Sequence, residues 1–288
     1  MAVKRSSNVL IAAATLIGTS IESYDFIVYG YAAALVFPAL FFPKADAFAG
    51  QIASYAIFWL GFLGRPLGGV IFGHFGDRLG RKAMLVTTLS IMGVATFLVG
   101  LLPTYDRIGF WAPVLLVTLR LFQGVAAGGE FGGAVLLAAE HAQENRRGLL
   151  SSYPQMGVPF GLVLASLAFI AVIAPHAANG NVSLMGNAWR YPFLFSIVLV
   201  AIGLAIRWRI TESPAFERAK AQAKIVAAPV LAVLRANWKE VLLTGGAFVA
   251  ISAGFYLVTT QIFSYGAGPQ SVLKLDARVF FIANLVGS

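Results

Sequence analysis

Long apolar runs alternate with short polar breaks along the whole of this chain. Seven runs, at residues 9–37, 53–75, 84–102, 112–137, 149–173, 189–208 and 241–263, match the length of about 17–25 residues that a helix needs to cross a bilayer. An eighth begins near Val279 and is cut by the C-terminus at Ser288. The pattern predicts an all-α, polytopic membrane protein. The first run is expected to be a spanning helix rather than a cleaved leader: it is too long for one, it holds Glu22 and Asp25, and no polar mature domain follows it. The one long polar break covers 211–238. There Ser213 suits an N-cap and Pro214 the first helical position, so a short helix is expected over 214–224. Its Glu217, Arg218, Lys220 and Lys224 would meet water or anionic headgroups. The chain then divides into a six-helix bundle (1–210), a linker (211–240) and the start of a second bundle (241–288). Transporters made of two related halves share this layout.

Composition agrees. Of 288 residues, 59% are apolar and 11% charged, with a mean hydropathy of +0.80. Soluble domains have about 45–50% and 25%, so the solvent for most of these side chains is lipid. Disorder, collagen and coiled coil are excluded, and a disulfide scaffold is excluded because cysteine is absent. A net charge of +9 would suggest nucleic acid in a soluble protein. Here it resolves into topology. With the N-terminus inside, 14 of the 21 Lys and Arg residues lie on inner segments and 5 on outer ones, while Arg65 and Arg120 remain within spans. Basic residues stay on the cytoplasmic side, so the N-terminus is expected there and nucleic acid is not a partner. The three histidines show no metal-ligand spacing. No nucleophile motif or phosphate-binding loop is present, so neither metal, cofactor nor enzymatic activity is expected.

Charges inside spanning segments are candidates for function. Glu22 and Asp25 lie three residues apart, on one face of the first helix. Desolvation disfavours their ionisation, and such a pair tends to share one proton, as proton coupling requires. Permanent pairing with an arginine of a neighbouring helix is the alternative. In the second helix, Arg65 precedes Pro66, and Gly64 and Gly68 allow close packing. Arg65 either balances Glu22 or Asp25 or contacts substrate. Arg120 falls near the bilayer centre and, unable to lose its charge, needs a partner. Gly124, Gly128 and Gly132 follow as a small-residue stripe. Glu130, about 15 Å further inward, is either a second acid of the proton path or a partner for Arg65. Three acids against two bases leave a net charge of −1, which one proton neutralises. The substrate-facing set is Arg120, Gln123, Arg65 and Tyr24. After the second helix, the glycines of 73–82 permit a tight reversal, with Asp77 set among Arg78, Arg81 and Lys82.

Residues 73–82 resemble the signature loop between helices two and three of the major facilitator superfamily, with Asp77, Arg78, Gly80, Arg81 and Lys82 matching. Arg120, Gln123 and Gly124 resemble its helix-four motif. The runs around Glu22–Asp25, Arg65–Gly68 and Gln123–Gly133, with Glu212 to Phe216, resemble the metabolite:proton symporter family. That family carries 2-oxoglutarate, citrate, shikimate and proline or betaine. The resemblance implies an alternating-access carrier in which Gly73, Asp77, Arg78, Gly80, Arg81 and Lys82 form an inner gate braced against the second half. The sequence departs from the pattern by ending within helix eight. The expectation is the N-terminal part of a proton-coupled symporter in a bacterial plasma membrane, with a small polar metabolite, a proton and the lipid bilayer as partners. Glu22, Asp25 and Glu130 would carry the proton. A non-transporting remnant, sensor or scaffold is the alternative.

Overall fold

The structure, a computed structural model, describes residues 7–173, 186–221 and 235–261, with isolated positions at 265, 279, 282 and 283. Among these residues, seven helices are long and apolar enough to cross a membrane. They are α1 (Asn8–Leu35), α3 (Ala47–Leu79), α4 (Arg81–Leu101), α6 (Trp111–His141), α7 (Arg147–Ile173), α8 (Arg190–Arg209) and α10 (Trp238–Tyr256). Short helices α2 (Phe37–Phe41), α5 (Tyr105–Ile108) and α9 (Pro214–Ala221) lie between them. A five-residue π-helical turn, Leu257–Gln261, continues α10. Lys4, Arg5, Lys224, Lys274 and Arg278 lie outside the described residues, as does most of the expected eighth helix.

Helix α1 runs through the middle of the bundle, and every residue from Gly18 to Leu35 except Ser23 is buried. Glycines set how closely its neighbours approach. A methyl group at Gly157 or Gly161 of α7 would lie 2.6 Å from the Leu16 carbonyl or 2.5 Å from that of Ser20. Helices α3 and α6 meet through Gly64, Gly68, Gly124 and Gly128. A methyl at Gly68 would overlap the Val125 carbonyl, and one at Gly128 that of Arg65. Gly132 does not continue the contact as the stripe suggested: a methyl there meets nothing within 4 Å. Four residues per step drift away from a 3.6-residue turn, and by Gly132 the stripe has left α3.

The end of the bundle nearest Ser7 is called proximal here and the other end distal. At the distal end, Arg190 donates to the Gly100 and Leu102 carbonyls, both at 2.7 Å. These are among the carbonyls left open at the end of α4. Beside it, Trp189 packs with Phe37, Phe41 and Phe193 at centroid distances of 5.9–6.1 Å. The rim is apolar, with Leu63, Leu67, Val70, Val94 and Leu98 exposed. Asp25, Arg120 and Glu130 lie fully inside at 0% exposure. Polar groups in and apolar groups out is the arrangement lipid selects.

At the proximal end, the expected loop over 73–82 is instead almost wholly helical. Helix α3 runs on to Leu79 and α4 starts at Arg81, leaving Gly80 alone at φ 111° to make the turn. That backbone conformation suits glycine and strains other residues. The first amides of α4 have no intrahelical partner, and Glu212 supplies one. Its Oε1 accepts from the Arg81, Lys82 and Ser213 N–H groups at 2.8, 3.1 and 2.9 Å. Ser213 caps α9, accepting from the Phe216 N–H at 3.2 Å, and its hydroxyl hydrogen-bonds Glu140.

Candidate functional site

A cavity of about 310 Å³ opens between α1, α3, α6, α7 and α10. Its polar wall includes Thr19, Glu22, Arg65, Gln155, Ser252 and Tyr256. Glu22 and Arg65 form an ion pair at 3.0 Å. Arg65 also hydrogen-bonds Tyr256, and its guanidinium lies 4.2 Å from the Phe26 ring centre. Among the described residues, no hydrogen-bond partner reaches Glu22 Oε2 or Arg65 Nε. The pair thus carries one buried acceptor and one buried donor without partners among the described residues, beside a cavity large enough for a small metabolite. Phe131, Phe248 and Phe255 complete the lining with apolar surface.

One turn further along α1, Asp25 ends a directed chain of hydrogen bonds. The Thr96 hydroxyl lies 2.9 Å from Asp25 Oδ2 as donor. The Gln123 amide donates to Thr96 Oγ1 at 2.7 Å, and Arg120 Nη1 donates to Gln123 Oε1 at 3.4 Å. Every donor in the chain points toward the carboxylate. Among the described residues, Arg120 does not pair with an acid directly. Its guanidinium is 4.1, 4.3 and 5.0 Å from the ring centres of Phe26, Tyr29 and Phe58, and its Nε donates to the Phe58 carbonyl at 3.3 Å. An aromatic cage with one backbone acceptor holds a buried cation without a counter-ion in contact.

Glu130 lies apart from both groups. It is not a partner for Arg65, as sequence depth allowed, because Arg207 occupies it. Arg207 donates to both Glu130 oxygens, to Oε2 at 3.0 Å and closer still to Oε1, and also to the Leu85 carbonyl. Thr88 adds a 2.8 Å bond to Oε2. Arg207 is one of the 14 basic residues that residue counting assigns to the inner segments, but at 1% exposure it is buried. Its long side chain turns back from the last turn of α8 to reach the acid. The charge tally changes with it: Glu22, Asp25 and Glu130 now face Arg65, Arg120 and Arg207, and no net charge remains when all six are ionised.

Glu22, Arg65, Asp25, Gln123 and Arg120 come together around Phe26. Tyr24 does not join them: it faces α8, where its hydroxyl donates to the Pro192 carbonyl at 2.7 Å. The residues expected at the gate gather at the α3–α4 turn. Asp77 and Arg81 form an i,i+4 pair at 2.8 Å, Lys82 Nζ donates to the Trp208 carbonyl at 2.9 Å, and Gly73 lies inside α3. Sequence reasoning missed Thr88, Thr96 and Arg207, and it gave Glu212 no structural role.

A polytopic helical bundle with its charges gathered around an internal cleft defines the class, that of the membrane transport proteins. The family model described as sugar (and other) transporter matches residues 10–262, and the chain belongs to that family, within the major facilitator superfamily. It is 43% identical over 258 residues to the inner membrane metabolite transport protein YhjE of Escherichia coli, covering 89% of this chain and 58% of that protein. It is 51% identical over 201 residues to the Escherichia coli shikimate transporter, covering 70% and 45%. The inward-open xylose transporter XylE of E. coli superposes with a TM-score of 0.66 at 18% identity, over 97% of this chain and 67% of that one. The chain spans about half the length of the curated relatives it matches.

Proposed function

We propose that the chain is the N-terminal part of a secondary active transporter that moves a small polar metabolite together with a proton by alternating access. The observation that carries this reading is the Glu22–Arg65 pair on the cavity wall, with a second acid, Asp25, fully buried one turn further along the same helix. Glu22 and Asp25 hold the coupling proton, while Arg65, Arg120 and Gln123 order the substrate. The balanced tally of six charges inside the bundle, five of them buried and Arg65 half-buried on the cavity wall, supports co-entry. A proton alone leaves the interior with one uncompensated positive charge, whereas a proton and a carboxylate arriving together leave it neutral. Burial of an unpaired charge is costly enough for that difference to matter. An organic acid fits this best, and a zwitterion next.

In this reading, residues 1–210 form one half of the carrier, 211–240 a cytoplasmic linker, and 241–288 the start of the second half. The proximal end is cytoplasmic in a bacterial inner membrane, and the α3–α4 turn with Asp77, Arg78 and Arg81 is part of the inner gate. The names of the two Escherichia coli relatives, one an inner membrane protein and one a shikimate transporter, support that placement and substrate class. The test is uptake into proteoliposomes from a panel of organic acids and zwitterions under an imposed pH gradient. Glu22→Gln and Asp25→Asn are each expected to abolish gradient-driven accumulation. Undiminished uptake by both variants removes these acids from coupling.

A further inference from the structure

We propose that Thr96 is a positioning residue that keeps Asp25 hydrogen-bonded in both of its protonation states. The inference rests on the reading that Asp25 takes the coupling proton. The Thr96 hydroxyl has one hydrogen and two acceptors within reach, Asp25 Oδ2 at 2.9 Å and the Met92 carbonyl at 3.0 Å. It also accepts from the Gln123 amide at 2.7 Å. With Asp25 ionised, the hydroxyl donates to the carboxylate. When a proton arrives on Asp25, the new carboxyl O–H donates to Thr96 Oγ1, and the threonine hydrogen swings to the Met92 carbonyl. Oγ1 then uses both lone pairs, one for Asp25 and one for Gln123. The Asp25–Thr96 and Gln123–Thr96 hydrogen bonds persist in both states, and the Gln123–Arg120 end of the chain is undisturbed. Leaving a buried donor or acceptor unpaired is the usual cost of proton uptake at this depth, and a hydroxyl rotor avoids it at Oδ2, while Oδ1 has no hydrogen-bond partner among the described residues.

The charged surroundings of Asp25 are few. Arg120 of α6 and Glu22 of α1 act on it. Arg65 of α3 is paired with Glu22, and Arg207 of α8 with Glu130 of α6. Arg147 of α7 sits in that helix's first turn, exposed at the proximal end. Helix α4 brings only uncharged groups to the site, so its contribution there is the hydroxyl.

The experiment is a pH titration of the purified chain in lipid, followed by infrared difference spectroscopy of the protonated-carboxyl C=O band. The Asp25 band is assigned as the one that Asp25→Asn removes. Thr96→Val is expected to move this band to higher frequency, as for a carboxyl without an acceptor. The bond it loses to the charged carboxylate is worth more than the one it loses to the neutral carboxyl, so the pH at which the band is half grown rises by about one unit. Thr96→Ser restores both values, and Thr96→Ala reproduces the valine result without its bulk. Thr118→Val deletes a hydroxyl bonded to the Val114 carbonyl on the outside of α6 and leaves the band unchanged. An Asp25 band that is the same in Thr96→Val, Thr96→Ala and the unmodified chain overturns the inference while leaving Asp25 as the proton site. A spectrum that Asp25→Asn does not alter overturns both.

Discussion

The Arg207–Glu130 pair sets a measurable stability for the proximal half of the bundle. Arg207 is 1% exposed and Glu130 0%. The guanidinium donates to both carboxylate oxygens and to the Leu85 carbonyl. Replacing Arg207 with methionine leaves Glu130, among the described residues, with the Thr88 hydroxyl as its remaining donor, at 2.8 Å. Breaking a buried pair by removing one partner costs about 3–5 kcal/mol, because the survivor is a buried charge without compensation. Glu130→Gln leaves the arginine stranded instead and is expected to cost a similar amount. The double variant has no charge in the pocket and keeps a side chain that Thr88 can bond. Its destabilisation is therefore expected to be smaller than that of either single variant, giving a coupling energy of about 3 kcal/mol or more. Unfolding by SDS in mixed micelles, followed by circular dichroism, gives the four free energies of the cycle. Additivity within about 0.5 kcal/mol would refute the pair as a stabilising unit.

Two further predictions concern the framework around the site. Gly68→Ala is expected to destabilise the bundle by about 1–3 kcal/mol, because its methyl overlaps the Val125 backbone. Gly132→Ala, with open space around it, should change stability by less than about 0.5 kcal/mol in the same unfolding assay. Equal effects would show that α3–α6 contact does not decide the glycines. Glu212→Ala leaves the Arg81 and Lys82 amides without their acceptor and is expected to cost about 1–2 kcal/mol. Hydrogen exchange read by mass spectrometry should speed up over residues 81–84 and stay unchanged over the distal half of α4. Unaltered exchange at 81–84 would show that the cap does not hold the helix start.

The spanning helices were legible in the sequence because length and hydropathy decide them, and lipid allows little else across a bilayer. Their ends were less so. Helix α3 starts at Ala47 and runs past Asp77 and Arg78 to Leu79, since polar residues continue a helix into the interface as readily as apolar ones. Charge partners were the least legible, though parts of the signal were present. Arg207 and Arg209 are two residues apart, which on a helix turns them about 200° from each other. One of them must therefore face away from the boundary that suits the other, and Arg207 is the one turned inward while Arg209 is exposed. Thr88 and Thr96 carry a similar hint. Eight residues apart in a largely apolar helix, they sit about 80° apart around it and about 12 Å apart along it, and each meets a buried acid, Glu130 or Asp25. Helical periodicity can say that a polar side chain faces inward. It cannot say which helix receives it, because that depends on how closely glycines such as Gly68, Gly128 and Gly161 let the neighbours approach. The same packing puts Tyr24 on Pro192 rather than at the cavity, although it lies between the two acids in sequence: on α1 it is turned about 200° from Glu22 and about 100° from Asp25.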